Sequence, residues 1–456
     1  MADLGKTIER FFESPAHLLD EGIVVAKKEE TVLFNKKPLK LAGEYFHSLG
    51  PGLVTGAADD DPSSIATYSQ AGARYGFGLL WLSLFTFPFM AVVQEMCARI
   101  GIVTGRGMAA NIRRHYSRRA LFVVCTLLFV ANTFTIAADL GAMAASMQLL
   151  MPHLNPALLV IAFAVVTILL QIFMDYAHYA RYLKWLVLAL FSYVFTALAI
   201  DLNWGQVLWH TVVPTLEFTR DEVLLVCAVL GATLSPYLFF WQTAQEVEEE
   251  KYGANAPKEL THDPAVVQQN ISRMRVDVWS GMFFSNLIMF FIMVTCAATL
   301  FASGITTITT PYEAALAIRP FGGEATFFIF ALGIIGTGLL AVPILAGSSA
   351  YAIAESFGWR RGLHNTLRQA HAFYGVIIVS MGIAVIANLA GFDPIKGLIY
   401  ASLLNGLIAP ILLFIIVRMS SRMRHFKNGP VITFLGWTIT ALMTLSALAS
   451  LYILIS

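Results

Sequence analysis

Three consecutive carboxylates, Asp59, Asp60 and Asp61, run directly into Pro62, Ser63 and Ser64 inside an otherwise apolar stretch. A carboxylate within a bilayer is costly, and one that persists there marks an ion or proton path. Pro62 lacks an amide donor and its ring clashes with the preceding turn, so a helix through this stretch is expected to break. A second point of this kind is Gly231-Ala232-Thr233-Leu234-Ser235-Pro236. Pro236 frees carbonyls near Ala232 and Thr233, and in lipid these need another partner: a cation, a water or a hydroxyl. Taken alone, either break reads equally well as a plain proline kink. Taken together they read as the two halves of a midplane cation site.

Successive helical side chains point about a third of a turn apart, so the three acids cannot share one ion on a regular helix. Asp61, which adjoins the proline, is the expected charged ligand. Asp59 and Asp60 line the approach, cap other helices or sit in a solvated vestibule.

The elements that must position these residues are membrane helices. The 456-residue chain is 57% apolar and 13% charged, with a mean hydropathy of +0.69, which excludes an ordinary soluble domain. A net charge of +1 gives no reason to expect nucleic acid. Cys97, Cys125, Cys227 and Cys296 all lie in apolar runs without a CxxC pair, and are read as small buried hydrophobes. The first forty residues are polar and mixed in charge, unlike a signal peptide, and 1–42 reads as a cytoplasmic tail.

Apolar runs predict eleven spans: 43–73, 77–98, 120–149, 156–174, 183–201, 221–247, 276–302, 324–353, 370–389, 396–417 and 431–455. A polar loop is expected over 248–274. With the N-terminus inside, 26 of the 30 lysines and arginines fall in cytoplasmic segments and 4 outside, which sets the orientation and places the C-terminus outside. Both breaks fall in the first helix of a group of five. An odd offset inverts the second group, as in an inverted repeat with its site between the broken helices. The expected units are therefore the tail, a first five-helix repeat over 43–202, a second over 203–418, and an additional helix over 419–456.

The stretch from Gly50-Pro51-Gly52 through Asp61-Pro62-Ser63-Ser64, Gln70-Ala71-Gly72-Ala73 and Leu79-Leu80-Trp81 resembles the first helix of Nramp divalent-metal transporters, whose signature there is Asp-Pro-Gly-Asn. Gly231-Ala232-Thr233-Leu234-Ser235-Pro236-Tyr237 is similar to the sixth-helix signature, in which Gly-Ala-Thr precedes Met-Pro-His. Asn405, five residues before Pro410, resembles the polar tenth-helix position, usually Gln. The resemblance covers about 43–417 and implies an all-α LeuT-type fold, a bacterial inner membrane, and uptake of manganese or iron with protons.

Carried over by resemblance, the metal ligands are Asp61, Ser64, the Ala232 carbonyl, Ser235 and Asn405. Ser64 stands where the family has Asn, and Ser235 where it has Met. A thioether favours soft transition metals, whereas an all-oxygen site with room for water suits Mg²⁺. The pattern is most similar to the Nramp-related magnesium transporters. The family's sixth-helix histidines read here as Tyr237 and Gln242, and of the third-helix acidic pair only Asp139 remains, opposite Ala142. Tight proton coupling is therefore not expected, and Asp139 reads as a hydrogen-bonded structural acid, with a proton site as the alternative. A divalent ion entering a negative interior gains roughly 4.6 kcal/mol per 100 mV, twice the single-charge value.

Mg²⁺, with Mn²⁺ as a second substrate, is the expected cargo of a monomeric carrier in the lipid bilayer, without a cofactor. A proton-coupled Mn²⁺/Fe²⁺ importer, a carrier of an organic zwitterion and a non-transporting metal sensor stay open as alternatives. No nucleophile–base constellation points to an enzyme. Glu95 and Arg99 read as an i,i+4 ion pair, and Glu246, Glu248, Glu249 and Glu250 as a solvated helix end. The arginines of 105–119 fit contact with anionic lipid headgroups. The ten histidines show no metal-ligand spacing.

Overall fold

The computed structural model describes residues 50–173, 188–252, 264–423 and 426–456. The expected tail, the start of the first span and the middle of the 248–274 loop lie outside these residues.

The first span is broken where the sequence demands it. Helix α1 (Pro51–Asp59) ends before Pro62, and α2 (Pro62–Tyr75) restarts with that proline at its first position. This is where a residue without an amide hydrogen is tolerated. The two halves carry too many polar groups to qualify as a membrane span by length and apolarity.

The rest of the first half comprises α3 (Trp81–Thr104), α4 (Met108–His115), α5 (Arg118–Leu150) and α6 (Pro156–Phe173). Next come α7 (Phe191–Ala199) and α8 (Trp204–Val212); α7, with the 3-10 turn before it, is bent 120° from α8.

The second half opens with the other broken span, α9 (Arg220–Thr233) and α10 (Pro236–Tyr252), again with proline restarting the helix. Then follow α11 (Pro264–Thr299), two short helices α12 (Pro311–Leu316) and α13 (Arg319–Gly322), α14 (Thr326–Phe357), α15 (His371–Leu389), α16 (Pro394–Ser420) and finally α17 (Pro430–Ile455). Nine of the described spans are long and apolar enough to cross a membrane. Among the described residues there is no strand.

One boundary differs markedly from expectation. Helix α11 begins at Pro264, twelve residues before the apolar run does. Hydropathy misses this extension because Gln268, Gln269, Asn270, Arg273 and Arg275 are polar. Arg275 is nevertheless held, because its guanidinium donates to the buried Glu95 at 2.8 Å. Glu95 pairs with Arg99, as the spacing suggests, and also accepts Trp279 Nε1 at 2.9 Å, so one buried acid ties α3 to α11.

Two close helix crossings fix the broken spans. On α1, a Cβ added at Gly56 would lie 2.3 Å from the Gly281 carbonyl oxygen of α11. A Cβ at Gly52 would lie 2.6 Å from the Val278 nitrogen. On α9, a Cβ at Gly231 would meet the Ser402 carbonyl at 2.1 Å and the Gly406 nitrogen at 2.3 Å on α16. Hydrocarbon offers no hydrophobic drive for helix pairing, so such backbone-to-backbone approach between small residues supplies much of the contact.

Candidate functional site

Asp61 sits in the gap between α1 and α2 in an extended conformation, as the N-cap of α2. Its Oδ1 accepts from the Ser64 amide and the Ser63 hydroxyl, both at 2.7 Å. Capping of this kind satisfies a helix-start amide that would otherwise lack a partner. Oδ2 has one longer contact, with the Tyr237 hydroxyl at 3.3 Å; the same hydroxyl donates to the Ala58 carbonyl at 2.9 Å. Tyr237 on α10 thus bridges the carboxylate and the last turn of α1.

In the second break, the Ser235 hydroxyl lies 2.9 Å from both the Gly231 and the Ala232 carbonyls. Two of the expected ligands, Ser235 and Ala232, are therefore bonded to one another. Asn405 Oδ1 is buried and has no hydrogen-bond partner among the described residues, and the buried Ser64 hydroxyl, close to the Asp61 carboxylate and the Tyr68 hydroxyl, makes no hydrogen bond of normal geometry. A buried oxygen left in that condition is costly and calls for a donor or a cation. All five expected ligands are nearly fully buried, between 1 and 2% exposed.

Asn405 is carried by a helix tied to both breaks. Its neighbour Gly406 makes the crossing with α9, and Ser402 accepts from Thr67 of α2 at 2.9 Å. Asp61, Ser63, Ser64 and Tyr237 are in direct contact, and Ser235 and Ala232 form a second pair on the opposing broken helix.

Asp59 and Asp60 share a hydroxyl on another helix while staying within electrostatic reach of Asp61. Both are buried, which rules out the solvated vestibule. Both face Ser285 of α11, whose hydroxyl lies 2.8 Å from Asp59 Oδ2 and 3.3 Å from Asp60 Oδ1. Among the described residues, no three His, Cys, Asp or Glu side chains converge as a metal centre. Asp61 lies between neutral oxygens, with Asp59, Asp60 and Asp139 within electrostatic reach of it.

Asp139, read from the sequence as a structural acid, lies against the Asp61 end of α2. It is fully buried, within electrostatic reach of Asp61 and near the Ser63 amide, yet neither of its oxygens has a hydrogen bond of normal geometry. The glutamates ending α10 are not simply solvated either. Glu246 is buried and accepts Gln242 Nε2 at 2.8 Å, and Glu248 accepts from Tyr351 and from the Leu363 amide. The four cysteines are buried and free.

Several positioning residues were not anticipated. Asp277 of α11 accepts the amides of Gly50, Gly52 and Leu53 at 2.8, 2.6 and 3.1 Å, and so caps the start of α1 from another helix. The Thr55 hydroxyl donates to Gln242 Oε1 at 2.5 Å and joins α1 to α10 on the same side. The signal for Asp277 was present: it is an ionisable residue in a spanning helix, which calls for a partner.

Two broken helices with opposed half-helix ends around a buried carboxylate define a membrane carrier of the LeuT type. Residues 52–453 match the family described as Natural resistance-associated macrophage protein-like, and the chain belongs to the Nramp family. It is 26% identical, over 366 residues, to the divalent metal cation transporter MntH of Erwinia tasmaniensis, covering 79% of this chain and 82% of that one. Its fold is similar to that of the Eremococcus coleocola manganese transporter solved with an aromatic bis-isothiourea compound (TM-score 0.70, 18% identity, 88% of this chain and 85% of that chain). It is also similar to Mhp1, a nucleobase-cation-symport-1 family transporter in a closed conformation (TM-score 0.53, 15% identity, 89% and 91%).

Proposed function

We propose that the protein transports divalent metal cations across the membrane, with Mg²⁺ as its main substrate and Mn²⁺ as a second. The observation that carries this reading is the buried, unpartnered Asn405 Oδ1 on α16, together with Asp61 Oδ2, which the cap of α2 leaves out. None of the five ligands carries sulfur or imidazole. Oxygen-only ligation suits a hard cation, and Mg²⁺ dehydrates reluctantly and keeps waters. Asp61 supplies Oδ2, since Oδ1 is engaged in the cap. Ion entry breaks the Ser235–Ala232 bond, which frees a carbonyl and a hydroxyl together. The ends of α1 and α9 add the negative poles of two half-helices.

Uptake proceeds without tight proton coupling, because the sixth-helix positions are Tyr237 and Gln242 rather than histidines. One feature favours a second reading, a proton-coupled manganese importer: the buried Asp139, within electrostatic reach of Asp61 and without a hydrogen bond of normal geometry. MntH and the manganese transporter are named for related cargo. The protein works as a monomer in the plasma membrane with the N-terminus cytoplasmic, as the distribution of lysine and arginine supports.

Reconstituted vesicles carrying an internal Mg²⁺ dye and an internal pH dye separate these readings. The expected result is saturable Mg²⁺ influx, weakened by competing Mn²⁺, with the lumen pH unchanged. Mn²⁺ influx that acidifies the lumen while Mg²⁺ is ignored would establish the second reading instead.

A further inference from the structure

A cavity of about 820 Å³ opens at the end of the bundle where α3 passes into α4 and where α16 ends. Arg106 and Arg114 line it from one side, and Arg418 and Arg422 from the other. No lining residue is acidic, and among the described residues none of the four guanidiniums has a carboxylate partner. Tyr116 stands between the two sides. Burial pushes its hydroxyl above the usual tyrosine range, while the nearby Arg418 and Arg422 pull it the other way. Four unpaired cations gathered around one opening repel each other, and an anion relieves that repulsion.

The remaining wall is apolar. Ile100, Val103, Met419 and Met423 line it, and Phe414 of α16 continues it onto the outer face of the bundle. Phe414 is 44% exposed and Ile411, one turn earlier, is 45% exposed, as befits side chains that face hydrocarbon. The cavity therefore has a cationic mouth and an apolar flank that runs into the lipid-facing surface. A soluble anion would use only the mouth, whereas a phospholipid uses both. The distribution of lysine and arginine puts this end on the cytoplasmic side, where anionic lipid is met.

We propose that this cavity binds the phosphate headgroup of an anionic phospholipid, with Arg106 and Arg114 on one side and Arg418 and Arg422 on the other, and its acyl chain along Phe414. The lipid joins the α3–α4 corner to the end of α16, the helix that carries Asn405. The apolar flank is what distinguishes this from binding of free phosphate.

The test uses the full-length protein in a mild uncharged detergent, with thermal unfolding followed as lipid is titrated. Phosphatidylglycerol is expected to raise the melting temperature saturably, and phosphatidylcholine to leave it unchanged. Each arginine removed is expected to weaken half-saturation about fivefold, so Arg418→Gln with Arg422→Gln weakens it on the order of 25-fold. The Lys double variant should retain most of the binding. Arg319→Gln, at a remote exposed site, controls for a general charge effect and should leave half-saturation unchanged. Should the double variant fail to fold, the exposed single change Arg106→Gln gives the fivefold test. Equal half-saturation in wild type and the Gln variants, an equal effect of phosphatidylcholine, or saturation by inorganic phosphate alone would overturn the proposal.

Discussion

The Tyr237 hydroxyl lies 3.3 Å from Asp61 Oδ2, so the second broken helix reaches the carboxylate held in the break of the first. The same hydroxyl holds the Ala58 carbonyl, which ties the end of α1 to the start of α10. Tyr237→Phe removes both contacts and keeps the ring. Mg²⁺ influx is expected to persist, with the apparent affinity changed by about tenfold, the effect of about one net hydrogen bond, since the contact to the carboxylate is long. A complete loss of transport measured in vesicles would mean that Tyr237 does more than bridge the helices.

Ser235→Met restores a thioether at the second break. A soft ligand raises affinity for Mn²⁺ and Cd²⁺ relative to Mg²⁺. The expected change in the Mn²⁺/Mg²⁺ preference is on the order of tenfold, equivalent to about 1.4 kcal/mol. Competition assays on the purified variant read it directly; an unchanged ratio would remove Ser235 from the ligand set.

Asp277 caps α1 through three amides, and its loss leaves those donors without their partner. Asp277→Ala is expected to lower stability by about 2 kcal/mol, the typical worth of a charge-assisted hydrogen bond with its partner left unpaired. Asp277→Asn should recover part of it. Thermal unfolding of the two variants provides the comparison, and equal melting curves for wild type and Ala would contradict the capping role.

Gln242→Ala cuts the bond from Thr55 that fastens α1 to α10. A cysteine placed at the half-buried Val54 then reports how often α1 lifts away. Its labelling by a water-soluble thiol reagent is expected to rise about two- to tenfold, matching a net hydrogen bond of ~0.5–1.5 kcal/mol. The four native cysteines are buried, so the background should be low. No change in rate would show that the Thr55–Gln242 bond does not hold the helix.

Local chemistry made the breaks legible in the sequence. Pro62 and Pro236 restart α2 and α10 at the first helical position, as a residue without an amide donor must. Long-range partners were not legible. Asp277 lies 225 residues from Gly52, and no spacing rule connects an acid on one helix to the amides at the start of another. The same holds for Ser285, whose hydroxyl faces both Asp59 and Asp60 from α11. The early start of α11 was hidden for a different reason: a helix that leaves the apolar layer keeps its hydrogen bonds but loses the hydropathy signal, and the buried Val267, Ile271 and Met274, with Arg275 on Glu95, are what hold it. Asp139 was visible as an acid, but its place within electrostatic reach of Asp61 depends on the neighbours that α5 meets in three dimensions.

The most direct test of Asp61 as the charged ligand is Mg²⁺ influx into vesicles, with Asp61→Ala and Asp61→Asn compared against wild type at matched protein amounts. Removal of the one carboxylate assigned to the ion is expected to lower influx by roughly 10- to 150-fold in Asp61→Ala, the range for a lost charge-assisted contact of ~1.5–3 kcal/mol. Asp61→Asn, which keeps a capping oxygen for α2, should be nearly as impaired despite a preserved fold. Saturable Mg²⁺ influx in Asp61→Asn at the wild-type rate and affinity would contradict the assignment and place the ion elsewhere in the carrier.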